Sequence, residues 1–203
     1  MFLDCCTPVP KSLPTLSTPP HPSDCELFYV NRDTLFSYHP VSEVFLQRMM
    51  SLYVASHYKN TPNDLQLLGD APAHHLFVLL PPIAPNTSSL PSPLVVLQIT
   101  LEGSISRSSI MSSLSKGQRS AGDLIPWCIS QQFGDDDFAR LSGARIVRIA
   151  TAVEYIGMGY GGRAIECLEE YLSGKIQGVS EEEMDHTNDH SMEMNDEELE
   201  QVK

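Results

Sequence analysis

Apolar residues step along this chain with two different periods, and the change of period divides it into elements. In the segment EVFLQRMMSLYVASHYKN, positions Val44, Phe45, Met49, Leu52, Tyr53 and Ser56 recur every three or four residues. That spacing predicts an amphipathic helix, with Ser42 as its N-cap and Thr61-Pro62-Asn63-Asp64 as its end. Asp64 is then placed to cap the short segment 65–70. Two runs rich in Leu, Val and Ile follow, His75–Leu80 and Leu94–Leu101, and both read as strands separated by a Pro/Ser/Asn loop. A helical repeat returns at Ile105, Ile110, Met111 and Leu114, with Gly117 as its stop. Residues 118–142 read as loop, with Leu124-Ile125-Pro126-Trp127 as an apolar island.

The last patterned stretch is a strand, a loop and a helix. Ile146, Val147, Ile149 and Ala150 form a β-branched run suited to a buried central strand. Ala164, Cys167, Leu168, Tyr171 and Leu172 then mark one stripe of a helix, with Gly174 as its C-terminal stop. Between them lies Gly157-Met158-Gly159-Tyr160-Gly161-Gly162. A glycine costs about 1 kcal/mol against alanine inside a helix, so four at one helix start imply that side chains must be absent. Bare N–H groups at a helix N-terminus suit an anion such as a phosphate. Gly157, Gly159 and Gly162 also satisfy the G-x-G-x-x-G dinucleotide fingerprint. That fingerprint requires a further strand ending in an acid, and residues 176–190 offer none.

Composition refines the picture. The chain has 203 residues, 41% of them hydrophobic, and a formal net charge of −13. From Ser180 onward ten acids face Lys203 alone, so most of that charge belongs to the end of the chain. The body is only mildly acidic and has no basic stripe with which to hold a nucleic-acid backbone. Five unevenly spaced cysteines frame no metal pattern and read as free thiols. Asp135-Asp136-Asp137 reads as a solvated turn. His74-His75 cannot both face one site, because neighbouring strand residues alternate faces. No apolar run is long enough for a membrane span, and the first residues lack the features of a signal peptide. Three parts are expected: a Pro-rich linker over 1–23, a folded domain over 24–178 and an acidic disordered tail over 179–203.

Several blocks resemble the acetyltransferase region of the eukaryotic RNA cytidine acetyltransferase family. They are residues 28–68, 70–82, 121–127 and the run from Leu141 to Ala164. The loop itself is similar to the GNAT pattern Gln/Arg-x-x-Gly-x-Gly/Ala, with Gly159 and Gly161 at the small positions and Ile156 at the first. The residues just before it, Ala152 to Ile156, depart from the family's pattern. The resemblance implies an α/β fold: a GNAT-like mixed sheet with flanking helices, here truncated before its C-terminal strands. It implies acetyl-CoA as cofactor, bound by Ile149, Ala150 and Thr151 along its arm and by Ile156, Gly157, Met158, Gly159, Tyr160, Gly161 and Gly162 at its pyrophosphate.

The implied reaction is acetylation of cytidine N4 in 18S rRNA and tRNA, with ATP used by a module that this sequence lacks. The implied compartment is the nucleus and nucleolus. Spacing singles out no general base among His57, His74, His75 and Glu154. The competing expectation is an inactive fragment that at most binds acetyl-CoA or a partner, prone to self-association through an exposed sheet edge. A chain of this kind is not expected to acetylate RNA alone. Disorder of the tail is directly measurable: residues 179–203, with almost no aromatic or β-branched content, should give narrow, poorly dispersed amide NMR signals. Dispersed signals there would refute it.

Overall fold

The computed structural model describes residues 19–56, 61–83, 90–116, 122–135 and 137–175. The predicted tail and nearly all of the predicted linker lie outside them. Two compact units emerge, residues 1–165 and 166–203.

The first unit is built on a four-stranded sheet in the order β1-β2-β3-β4 (Glu26–Tyr29, His74–Leu80, Val95–Gly103 and Ser142–Thr151). All three pairings are antiparallel. The α/β class and the flanking helices agree with expectation, whereas the parallel pairing that would make the sheet mixed is not among the described strands. Such a pairing requires a crossover connection, and none of the described segments supplies one. β4 also differs from its reading as a central strand. It lies at one edge of the described sheet, and only Ala150 along it is fully buried. The central strands are β2, buried from Leu76 through Leu80, and β3, buried from Val95 through Thr100.

Helices α1 (Arg32–Leu35), α2 (Pro40–Ser56) and α3 (Pro62–Asp70) cover one face. Met49, Leu52, Tyr53 and Leu68 pack there with Leu76, Val78, Leu80, Val96 and Ala150. The predicted helix is present but begins earlier than Ser42. Pro40 opens it, since a proline at the first helical position gives up only an N–H that would be unpaired. His39 Nδ1, and not Ser42, accepts from the nearby Val41 N–H at 3.3 Å. Thr61 and Asp64 likewise do more than end a helix. The Asp64 carboxylate accepts from the Thr61 N–H at 2.7 Å and from its hydroxyl at 2.9 Å, opening α3.

Residues 118–142 contain a helix that the loop reading missed, α5 (Leu124–Phe133). Pro126 lies in its first turn, where proline is tolerated, and Trp127 packs with Ile110 of α4 (Arg107–Ser115) and with Ala139. The signal was present in the apolar island; Gly and Pro nearby masked it. The predicted stop at Gly117 lies outside the described residues. Asp135 and Asp137 do form a turn, with Asp135 Oδ1 accepting from the N–H groups of Asp137 and Phe138.

The remaining helix, α6 (Tyr160–Leu172), ends as expected at Gly174, where φ is +72°. Bonds from Gly174 N–H to Tyr171 and from Lys175 N–H to Glu170 close a Schellman turn within the second unit. Of the predicted stripe, Ala164, Cys167 and Leu168 are buried while Tyr171 and Leu172 are exposed.

Gly103 closes β3 at φ +97°, and a β-carbon built there would collide with the Leu141 carbonyl oxygen. Gly103→Ala combines backbone strain with a collision against backbone that cannot yield, so it should destabilise the fold by about 3 kcal/mol. Urea unfolding of the two proteins measures this, and an unchanged midpoint would contradict it.

Candidate functional site at the glycine loop

Antiparallel register fixes where the loop begins. Thr151, the last residue of β4, pairs with Val95, and Ala152 N–H donates to Leu94 O at 2.8 Å. The chain then makes a single 3₁₀ turn, Val153–Tyr155, and a tight return in which Met158 N–H donates to Tyr155 O at 3.3 Å. Gly157 and Gly159 stand at φ +82° and +91°, a region that side chains disfavour. These two are glycines because the turn requires it.

Gly161 and Gly162 belong to the first turn of α6, and their reason differs. A β-carbon on Gly161 would lie 3.5 Å from Thr151 Oγ1, so the helix start runs close along the strand end. A β-carbon on Gly162 would meet nothing. The first helical hydrogen bond runs from Arg163 N–H to Gly159 O at 3.0 Å. Ahead of it, the N–H groups of Gly159, Tyr160, Gly161 and Gly162 find no acceptor among the described residues. Four successive donors at the positive end of a thirteen-residue helix form a surface to which an anion can bind.

The other residues expected at the site divide by orientation. Ala150 points into the core beneath α2 and can offer only its backbone. Ile149 and Thr151 are partly buried and project to the opposite side of the sheet. Ile156 and Met158 are exposed, Ile156 to 63%. An exposed isoleucine adds no donor at the position where the GNAT pattern has Gln or Arg. Tyr160 is buried, and its hydroxyl donates to Pro20 O at 2.5 Å, leaving only its N–H for a ligand.

Among the described residues no general base emerges beside the loop. His57 lies outside the described residues, and Glu154 is exposed. His74 pairs in register with Thr100, five residues along β3 from Val95, or about 17 Å from the loop end. Around it the sheet gathers a polar cluster that sequence reading missed. His74 Nδ1 is 3.0 Å from Gln98 Nε2. Buried Glu102 meets Arg145 Nε at 2.5 Å and accepts from the Ile125 N–H at 3.0 Å. Burial raises the Glu102 pKa, but Ile125 N–H and Arg145 outweigh it and hold the carboxyl below its ordinary range. The alternation of Gln98, Thr100 and Glu102 in β3 was the available signal. Among the described residues, no three His, Cys, Asp or Glu side chains gather as metal ligands. No described helix is long and apolar enough to cross a membrane.

The GNAT acetyltransferase 2 family model matches residues 48–203, which include the loop. This chain belongs to that family. It is 68% identical over 163 residues to a protein of Schizosaccharomyces pombe named RNA cytidine acetyltransferase, covering 80% of this chain and 16% of that protein. The Homo sapiens protein of the same name is 62% identical over 162 residues, again 80% and 16%. A protein of that name from Achlya ambisexualis is 62% identical over 168 residues, covering 81% of this chain and 45% of its own length. The chain therefore spans about a sixth of the length of the first two. An aminoglycoside acetyltransferase from a soil metagenome is a looser likeness in three dimensions. Its TM-score is 0.40 at 12% identity, over 82% of this chain and 87% of that one.

Burial, then the charges of Arg145, Arg32 and His75, hold the His74 imidazole below its ordinary pKa against the opposing pull of Glu102. His75 is lowered by burial and Arg32. With the folded pKa depressed, the unfolded chain binds more protons below about pH 6.5, so stability rises with pH through that window. Melting temperature should fall as pH is lowered from 7 to 5, and His74→Gln should flatten that slope. A parent whose melting temperature is constant over that range would contradict it.

Proposed function

We propose that this chain is the cofactor-binding portion of an RNA cytidine acetyltransferase, and that its glycine loop holds acetyl-CoA. One observation carries the reading: a match of 68% identity to proteins of that name runs through a chain whose loop presents four unpaired N–H donors at a helix start. Those donors suit the CoA pyrophosphate. Thr151 and the backbone of Ile149 and Ala150 lead away from it along β4, the direction available to the acyl arm. Held there, acetyl-CoA would supply its acetyl group to the cytidine N4 amine in exchange for that amine's proton, giving N4-acetylcytidine and CoA.

The residues of this chain contribute binding and orientation to that reaction. Positioning of bound reactants is worth roughly 7–11 kcal/mol in well-oriented cases, and a rigid strand-to-helix junction supplies it for the cofactor. We assign the acceptor RNA, including 18S rRNA and tRNA, to the whole protein, together with the use of ATP and the nuclear and nucleolar setting. The body of this chain has no basic stripe with which to hold an RNA backbone unaided.

Gly161→Glu places a carboxylate beside the proposed pyrophosphate donors and pushes bulk toward Thr151. Titration calorimetry should show acetyl-CoA binding weakened by about ten-fold or more, with far-ultraviolet circular dichroism unchanged. Equal affinity in mutant and parent would refute the cofactor assignment.

A further inference from the structure

The loop is also held from outside, by residues more than 130 positions earlier. The chain segment Pro19–Asp24 runs into β1 and passes against the glycine turn. The Tyr160 hydroxyl donates to Pro20 O at 2.5 Å. A β-carbon on Gly159 would lie 3.8 Å from Pro22 Cγ, so the proline ring faces the glycine turn directly. The strap is rigid in itself. Pro20 and Pro22 fix their own φ angles, and the 3₁₀ turn Pro22–Asp24 is closed by Asp24 N–H to His21 O at 2.9 Å. His21 Nδ1 accepts from Ser23 N–H at 3.3 Å, and Cys25, fully buried, ends the turn just before β1.

Tyr160 connects this strap to the loop. Its ring meets Tyr155 edge-on, with centroids 5.7 Å apart and planes at 66°. Tyr155 belongs to the turn that precedes the glycines, and its own N–H is bonded to Ala152 O. Burial pushes the Tyr160 hydroxyl up in pKa, so it stays a donor throughout the neutral range. Pro20 O gains a partner that no sheet pairing gives it. One side chain thus ties the strap, the turn and the first residue of α6 together, while its backbone N–H faces the anion site.

We propose that Tyr160 is a positioning residue for the cofactor loop, and that the strap Pro19–Asp24 is an integral part of the pyrophosphate site. The strap sets the orientation of the donors at Gly159 to Gly162 without touching the ligand. This rests on the reading of the loop as the acetyl-CoA site. It accounts for a buried aromatic in the middle of a glycine run, where bare backbone alone would not require one. The phenolic hydroxyl, more than the ring, is the part that reaches the strap.

Tyr160→Phe in the full 203-residue chain keeps the ring contact with Tyr155 and deletes only the bond to Pro20. The expected result is an affinity for acetyl-CoA about five-fold weaker, in line with one lost hydrogen bond. Affinity for acetyl-pantetheine, which has no pyrophosphate, should not change. Hydrogen exchange of the Met158 and Arg163 amides, both bonded within the turn, should quicken in the variant even without ligand. Pro22→Gly, which loosens the strap and removes the ring facing Gly159, should reproduce both effects and serves if the first variant does not fold. Equal loss for acetyl-CoA and acetyl-pantetheine would mean that Tyr160 acts on the fold in general, and the proposal would fall. Unchanged affinity with unchanged exchange would also overturn it. If the parent chain binds neither compound, the cofactor reading fails, and the exchange rates alone decide whether the strap holds the loop.

Discussion

Strand β3 leaves no face for water from Val95 to Thr100, and both of its edges are paired. Burial of its two valines, Leu97 and Ile99 contributes roughly 1.5–3 kcal/mol per large side chain, and that burial is possible only in one register. A one-residue slip would turn Val96 and Ala150 away from α2 and present Gln98 to the wrong neighbours. This constraint determines the position of the glycine loop. Because Val95 faces Thr151, the chain leaves the sheet at the end where Leu94 and the strap before β1 are also found.

At the opposite end the same strand carries polar groups into its buried face. Glu102 is satisfied on one oxygen by Arg145 and on the other by the N-terminus of α5. A buried carboxylate costs several kcal/mol to desolvate and is tolerated only with such partners. It fastens α5 and β4 to the end of β3, and the bulge opposite Gln98 and Ile99 lets Arg145 reach it. Arg148, three residues nearer the loop, instead reaches Asp64 of α3 at 2.8 Å and stacks 5.9 Å from the centre of the Tyr53 ring. Arg145 thus ties β4 to the end of β3, and Arg148 ties it to α3.

The loop inherits rigidity from this frame. Its donors are effective because they are held, and the holding comes from three sides: the register of β4, the turn capped by Ala152 O and the strap contacted by Tyr160. A glycine run left to itself would be the most flexible part of a chain, since glycine loses the most conformational freedom on ordering. Ordering such a run at a helix start requires the neighbours to offset that cost. Ile156 is exposed and, unlike Gln or Arg, carries no side-chain donor, so the donors the loop presents are those of its backbone.

Local chemistry determined much of this in the sequence. Strands over His75–Leu80 and Leu94–Leu101, a helix following Ser42 and a glycine loop leading into a helix follow from periodicity and from glycine placement, which act over a few residues. The resemblance to the acetyltransferase family rests on the same linear blocks. Tertiary structure decided the rest. Pattern alone gave β4 a central place because a β-branched run cannot reveal which of its edges is paired. It missed α5 because Gly122 and Pro126 read as breakers until Trp127 has a core to enter. It did not bring Glu102 to Arg145, separated by 43 residues, or Pro20 to Tyr160, separated by 140. Contacts between distant residues form only when the register of the sheet brings them together, and no short stretch of sequence encodes that register.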